Sequence, residues 1–293
     1  MIKIKQFNDQ KKGMFMAFTA VMLITPDSLF IRLASISSWN LIFYRGFIPF
    51  SIVFIGLFLI YKFKFIKELV SNGWHGVAYA LIFTITNITF VISIENTNVA
   101  NTLIMIALAP MLSAVLSFIF LKETPDKKTW FAIIITTLAV IYIFYDALDA
   151  GDILGNALGL LTALGLAVGA VIIRSKKKIS LVPSAMVGKL LVALTAFYFA
   201  DNLNLKDNDL IIVPLMCIMC VAIPFVLVTL APRYITAAEV NLFFLLETIL
   251  GPIWVWLVIK EQPSTETIIG GIVIITTIAT HSILSLKKSS FLR

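Results

Sequence analysis

Four ionisable residues, Asp27, Arg45, Lys189 and Glu247, fall inside long apolar stretches of this 293-residue chain. A charge placed in lipid costs roughly 2.5–3.5 kcal/mol on insertion scales, so each one calls for a partner or a task. Asp27 stands about six residues from one end of its stretch and Arg45 about six from the same end of the next, both roughly 9 Å deep at 1.5 Å per residue. They can pair. Two chemistries fit the pair: a buried salt bridge that pins the first hairpin, or an anion or proton site that opens when the pair breaks. Lys189 lies about five residues from the end of its stretch, where a long side chain can snorkel to the headgroups. Glu247 is different, about twelve residues into a stretch that begins near 236, close to the midplane and out of snorkelling reach. A carboxyl at that depth is either protonated or faces a polar cavity, as a substrate ligand or a proton acceptor.

The elements that must position these groups follow from composition. Hydrophobic residues make up 60% of the chain and charged ones 13%, with a mean hydropathy of +1.00. So little polar material cannot cover a water-soluble body of this size, which excludes a soluble enzyme. Uninterrupted apolar runs of about 20 residues, rather than ten-residue alternating segments, point to an all-α integral membrane protein. Spanning helices are expected at roughly 13–33, 39–61, 74–94, 99–121, 128–146, 153–173, 184–202, 209–230, 236–259 and 266–286. The first follows a Lys-rich start as a signal peptide would, but its length and the missing small-residue cleavage site favour a retained helix. Trp39, Tyr61, Trp74 and Trp130 fall near span ends, where amphipathic rings anchor at the headgroups.

Orientation follows from Lys and Arg. Lys3, Lys5, Lys11, Lys12, Lys62, Lys64, Lys67, Lys122, Lys127, Lys128, Arg174, Lys176, Lys177, Lys178, Arg233, Lys287, Lys288 and Arg293 share one side, against Arg32, Lys206 and Lys260 opposite. Both termini are therefore expected in the cytoplasm, with the chain in the inner membrane. The net charge of +7 is mostly this sorting signal; no basic run is long enough to track phosphates, so nucleic acid is not an expected partner.

The two halves repeat each other. Lys122-Glu123-Thr124-Pro125 reappears as Lys260-Glu261-Gln262-Pro263, and the run at 133–137 resembles that at 274–277. Gly13 and Arg32 bracket the first stretch as Gly155 and Arg174 bracket the sixth, and Arg45 answers to Lys189. The expected units are 1–147 and 148–293. Five spans per repeat is an odd number, so the second copy must enter the membrane the other way round, giving ten transmembrane helices as two inverted five-helix repeats. Such a pair has two similar packings, one open to each side, which is the basis of alternating access.

With these features the chain resembles the EamA-type members of the drug/metabolite transporter superfamily over nearly its whole length. The resemblance rests on the two halves, on Asn101-Thr-Leu-Ile-Met-Ile-Ala-Leu-Ala-Pro110 followed by Glu123, and on Glu247 ahead of Lys260-Glu261. It departs from the family in two places. Glu247 is followed by Thr248 where a Pro is usual, and Thr25-Pro26-Asp27-Ser28 replaces a Trp-Gly common in the first span. The resemblance implies a central cavity lined by spans one, three and four with six, eight and nine, which makes Asn87 and Asn101 candidates beside Asp27, Arg45, Lys189 and Glu247. It also implies export of a small solute. Acidic and basic groups together favour a polar or zwitterionic metabolite such as an amino acid, with protons as a second partner; uptake or facilitated passage of a carboxylate or nucleoside-like solute is the alternative, and a non-transporting membrane scaffold a third.

Other chemistries find little support. Cys217 and Cys220 form a C-x-x-C inside a span with no second pair and no His nearby, so no metal or redox cofactor is expected. No Gly-x-x-x-x-Gly-Lys-Ser/Thr loop is present, so transport would be secondary, and no hydrolase motif appears. Gly155, Gly159, Gly165 and Gly169 give two Gly-x-x-x-Gly spacings that suit packing between the repeats, with dimerisation as the other use; monomer and homodimer both remain open.

Overall fold

A computed structural model describes residues 2–122, 127–150, 152–176, 179–235 and 237–291, without the side chains of 2–10, 127–129, 146–150, 281–291 and a few positions between. Glu123, Thr124 and Pro125 of the first repeat motif, and the side chains of Ile133, Glu239, His281 and of Lys3, Lys5, Lys127, Lys128, Lys177, Lys178, Lys287, Lys288 and Arg293, lie outside the described residues. Among the described residues all secondary structure is helical, in long segments that run α1 Lys11–Leu33, α2 Ser38–Tyr61, α3 Gly73–Asn96, α4 Val99–Leu121, α5 Lys127–Ala150, α6 Ile153–Ser175, α7 Val182–Phe199, α8 Asp209–Arg233, α9 Ala237–Ile259 and α10 Thr265–Phe291. Seven of these, α1 to α4 and α6 to α8, are long and apolar enough to cross a membrane; α5, α9 and α10 contain the shorter apolar helices Trp130–Ile143, Leu246–Ile259 and Thr265–Thr277.

Polar side chains set the helix starts. Ser37 accepts the Asn40 N–H at the head of α2 and Asn98 accepts the Ala100 N–H at 2.9 Å at the head of α4, satisfying donors that have no intrahelical partner. The repeated Lys-Glu pair marks helix ends. Lys122 and Lys260 both adopt left-handed φ, 57° and 65°, a conformation that is uncommon outside glycine and that stops α4 and α9 in the same way.

Small residues then bring the segments together. A Cβ on Gly46 of α2 would lie 2.5 Å from the Ala193 amide nitrogen of α7, and one on Gly188 of α7 would lie 2.9 Å from the Ala80 carbonyl of α3. Backbone cannot yield at those points, so only glycine permits the approach. The glycine row of α6 is used inside the chain: Gly155 abuts Asn96 and Thr97, Gly159 abuts Ser93 and Met105, and Gly165 abuts Thr86, all in or next to α3 and α4. Leu41, Ile42, Val91, Ile94, Leu103, Val192, Val213 and Met216 pack one continuous core between α2, α3, α4, α7 and α8. Phe15, Leu59, Phe120 and Ile211 are among the large apolar side chains left exposed, a surface suited to lipid rather than water. Trp74 is exposed near the start of α3, whereas Trp39 is stacked on Phe199.

Candidate binding cavity

Three helices that line one cavity are interrupted, each at or just ahead of a proline. In α1 the helix stops at Thr25–Pro26 and restarts at Asp27, so the carboxylate sits in the first turn of a new helix, where unpaired N–H groups favour negative charge. In α4 the break falls at Ala107 and Leu108, ahead of Pro110. In α8 a π-helical turn spans Cys217–Ala222, ahead of Pro224, whose missing N–H leaves the Cys220 carbonyl without its usual donor.

Around these breaks lies a cavity of about 140 Å³, close to the roughly 150 Å³ that accommodates a benzene-sized guest. It is lined from α1, α2, α3, α4, α6, α7, α8 and α9, which includes all six spans that the family resemblance implies. Its walls are largely apolar and aromatic, with Phe83, Phe90, Leu166, Phe225 and Phe244 among them.

Against this background the charged groups stand out. Arg45 donates to Asp27 through two parallel bonds, Nη1 to Oδ1 at 2.6 Å and Nη2 to Oδ2 at 2.7 Å, and its Nη1 also contacts Met216 Sδ at 3.4 Å. The guanidinium lies 5.8 Å from the Phe90 ring centroid. Both partners are buried, so each neutralises a charge that would otherwise be stranded. Lys189 is 1% exposed. Its Nζ donates to Asn87 Oδ1 at 2.5 Å and lies over the rings of Phe83 and Phe225 at 5.3 and 5.8 Å, while Asn87 Nδ2 is held by the Phe83 carbonyl at 2.7 Å. The expected snorkelling of Lys189 does not occur: its side chain turns inward to Asn87, in a bundle where Gly46 and Gly188 let α7 pack closely on α2 and α3. Glu247, 3% exposed, lines the cavity from α9 and has no hydrogen bond or ion pair among the described residues.

Asp27, Arg45, Asn87, Lys189 and Glu247 are thus brought to one cavity. Asn101 is not. Its Nδ2 donates to Thr97 Oγ1 at 3.1 Å and its Oδ1 accepts from Thr267 Oγ1 at 2.5 Å, which ties α4 to α10 outside the cavity wall. Asn101 sits in the first turn of α4, two residues after the Val99 start and far along the helix from the break. The sequence reading passed over Tyr79, Thr86, Thr162 and Asn241 as cavity residues. Tyr79 bonds Thr229 across α3 and α8 at 3.1 Å, and Asn241 donates to Ser113 across α9 and α4 at 2.5 Å. Each is a polar residue inside an apolar run, but such a run does not say which helix face looks inward.

The ends of several helices are tied together. Arg32, at the end of α1, contacts Glu261 at 3.0 Å and donates to the Thr97 carbonyl at 2.8 Å, while Glu261 accepts the Val99 N–H at 2.7 Å. Ser35 N–H, just past α1, donates to Asp209 at the start of α8 at 3.1 Å. The cavity lining itself includes Tyr79, Ile173 and Pro232. Among the described residues no cluster of His, Cys, Asp and Glu could hold a metal ion, and Cys217 and Cys220 are buried free thiols.

The model of the EamA-like transporter family matches residues 11–145 and again 151–283. A crystal structure of another protein superimposes with a TM-score of 0.68 at 14% sequence identity, covering 94% of this chain and 98% of the other. The comparison with curated proteins found no match.

Proposed function

Because this chain belongs to the EamA-like transporter family, we propose that it is a secondary transporter that moves a small polar organic metabolite, such as an amino acid, outward across the inner membrane by alternating access. The observation that carries this reading is the buried cavity in which Lys189 and Glu247, of opposite charge, both lack a charged partner within hydrogen-bonding reach among the described residues. Such groups are costly in a structural core and useful in a binding site. In this reading α5, α9 and α10 also cross the membrane, making ten spans in two inverted repeats, 1–147 and 148–293, with both termini in the cytoplasm. The end tied by Arg32 and Glu261 then faces outward and acts as the outer gate. Glu247 is the proposed proton acceptor, since a carboxyl with no hydrogen bond or ion pair among the described residues can exchange a proton as substrate enters and leaves.

The test is counterflow into proteoliposomes loaded with pooled unlabelled amino acids, following labelled ones outside, with and without a pH gradient. Accumulation of a label establishes transport and names the substrate class. Failure with amino acids, carboxylates and nucleosides alike, in protein shown to be folded and inserted, would favour a scaffold.

A further inference from the structure

The two halves of the chain carry the same buried cation but not the same buried acid. Gly13 and Arg32 match Gly155 and Arg174 at one constant spacing, and within that register Asp27 corresponds to Gly169 and Pro26 to Val168. The helices differ at that point: α1 breaks at Pro26, whereas α6, with Val168 there, runs on unbroken from Ile153 to Ser175. Arg45 corresponds to Lys189. Arg45 has both nitrogens of its fork on Asp27. Lys189 has a single hydrogen bond among the described residues, to a neutral amide, and two aromatic faces. An ammonium has three N–H donors, so two remain to be satisfied. Both oxygens of Asp27 are bonded by Arg45, and among the described residues neither accepts a hydrogen bond from Lys189. Gly169 and Lys189 line the same cavity.

We propose that the acid the second half lacks at Gly169 is supplied by a carboxylate of the transported molecule, which enters the cavity and stands toward Lys189 and Asn87 as Asp27 stands toward Arg45. This rests on the reading of the cavity as the substrate site and deepens it by naming the group that site recognises. Lys189 supplies the charge, Asn87 holds the ammonium in place through its own bond to the Phe83 carbonyl, and Phe83 and Phe225 exclude water, which strengthens the charge-assisted bond.

The experiment uses the full chain in detergent or nanodiscs and reads the unfolding midpoint with the twenty amino acids and with acetate, butyrate, lactate and pyruvate, each beside its methyl ester or amide. At least one carboxylate raises the midpoint and its ester does not. Lys189→Met weakens that carboxylate by about tenfold or more, as expected for loss of a buried charged hydrogen bond. Gly169→Asp supplies the missing acid internally and abolishes the response. Gly169→Asp is also better tolerated with Lys189 present than in a Lys189→Met background, which checks that the two positions face each other. No stabilisation of folded wild-type protein by any carboxylate overturns the proposal, as does an equal response in Lys189→Met. Counterflow of amines or neutral solutes in that case would leave the transport reading standing and remove this one.

Discussion

Asp27 and Arg45 form a closed pair, whereas Lys189 and Glu247 do not, and the difference decides what each can do. Removing one member of a buried pair strands the other, at about 3–5 kcal/mol, while replacing both by apolar residues is often near neutral. Arg45→Ala is therefore expected to lower the unfolding midpoint in detergent sharply, and Asp27→Leu combined with Arg45→Met to recover most of it. Counterflow by the double variant then separates the two readings of the pair: retained transport makes it a structural pin, and lost transport in a stable protein makes it part of the cycle. Glu247 offers a different expectation. Glu247→Gln keeps the size of the side chain and removes the exchangeable proton, so accumulation driven by a pH gradient should fall at least about tenfold. Exchange of substrate without a gradient should persist, and a variant that still responds fully to the gradient would rule out Glu247 as the coupling group.

At the scale of elements, the cavity owes its shape to interrupted helices. The breaks at Pro26 and ahead of Pro110, and the π-helical turn ahead of Pro224, sit where the charged and thiol-bearing positions face inward. A π-helical turn costs hydrogen-bond geometry and is found mostly at functional sites. Pro224→Ala restores an N–H for the Cys220 carbonyl and lets α8 regularise, which moves Cys220 and Val221 relative to Phe225. The expected outcome is unchanged or higher thermal stability with slower transport, read by comparing unfolding with initial counterflow rates; faster transport would show that the turn is not needed. The prolines were visible in the sequence, but a proline within an apolar run bends, breaks or merely punctuates a helix depending on its neighbours. Val168, in the place of Pro26, lets α6 continue unbroken.

For the whole molecule, one end of the bundle is tied by Arg32, Glu261, Thr97 and Val99, which joins the ends of α1 and α9 to the α3–α4 junction. If that end is the outer gate, weakening it should admit reagents from outside. Cys220 lines the cavity and is buried, so it reports access. In a Cys217→Ser background, Glu261→Gln should raise labelling of Cys220 by a membrane-impermeant maleimide added to intact cells, with no such rise for the parent. Labelling that stays low would place the gate elsewhere.

The residue sequence by itself determined the class of this protein and the extent of its helices, because apolar runs and helix-ending residues act locally and lipid imposes hydrogen-bonded helices on them. It also carried the repeat, whose Lys122 and Lys260 turned out to share a left-handed helix end. Five of the six candidate site residues lie around one cavity for a similar reason: a charge or amide inside a span has few places to go. Which way each points was decided by tertiary structure alone. Lys189 turned inward to Asn87 although its place in the apolar run allowed a path to the headgroups, and Asn101 was taken by Thr97 and Thr267 away from the cavity. The direction of a side chain depends on partners far away in the chain, and spacing along one helix holds no information about them.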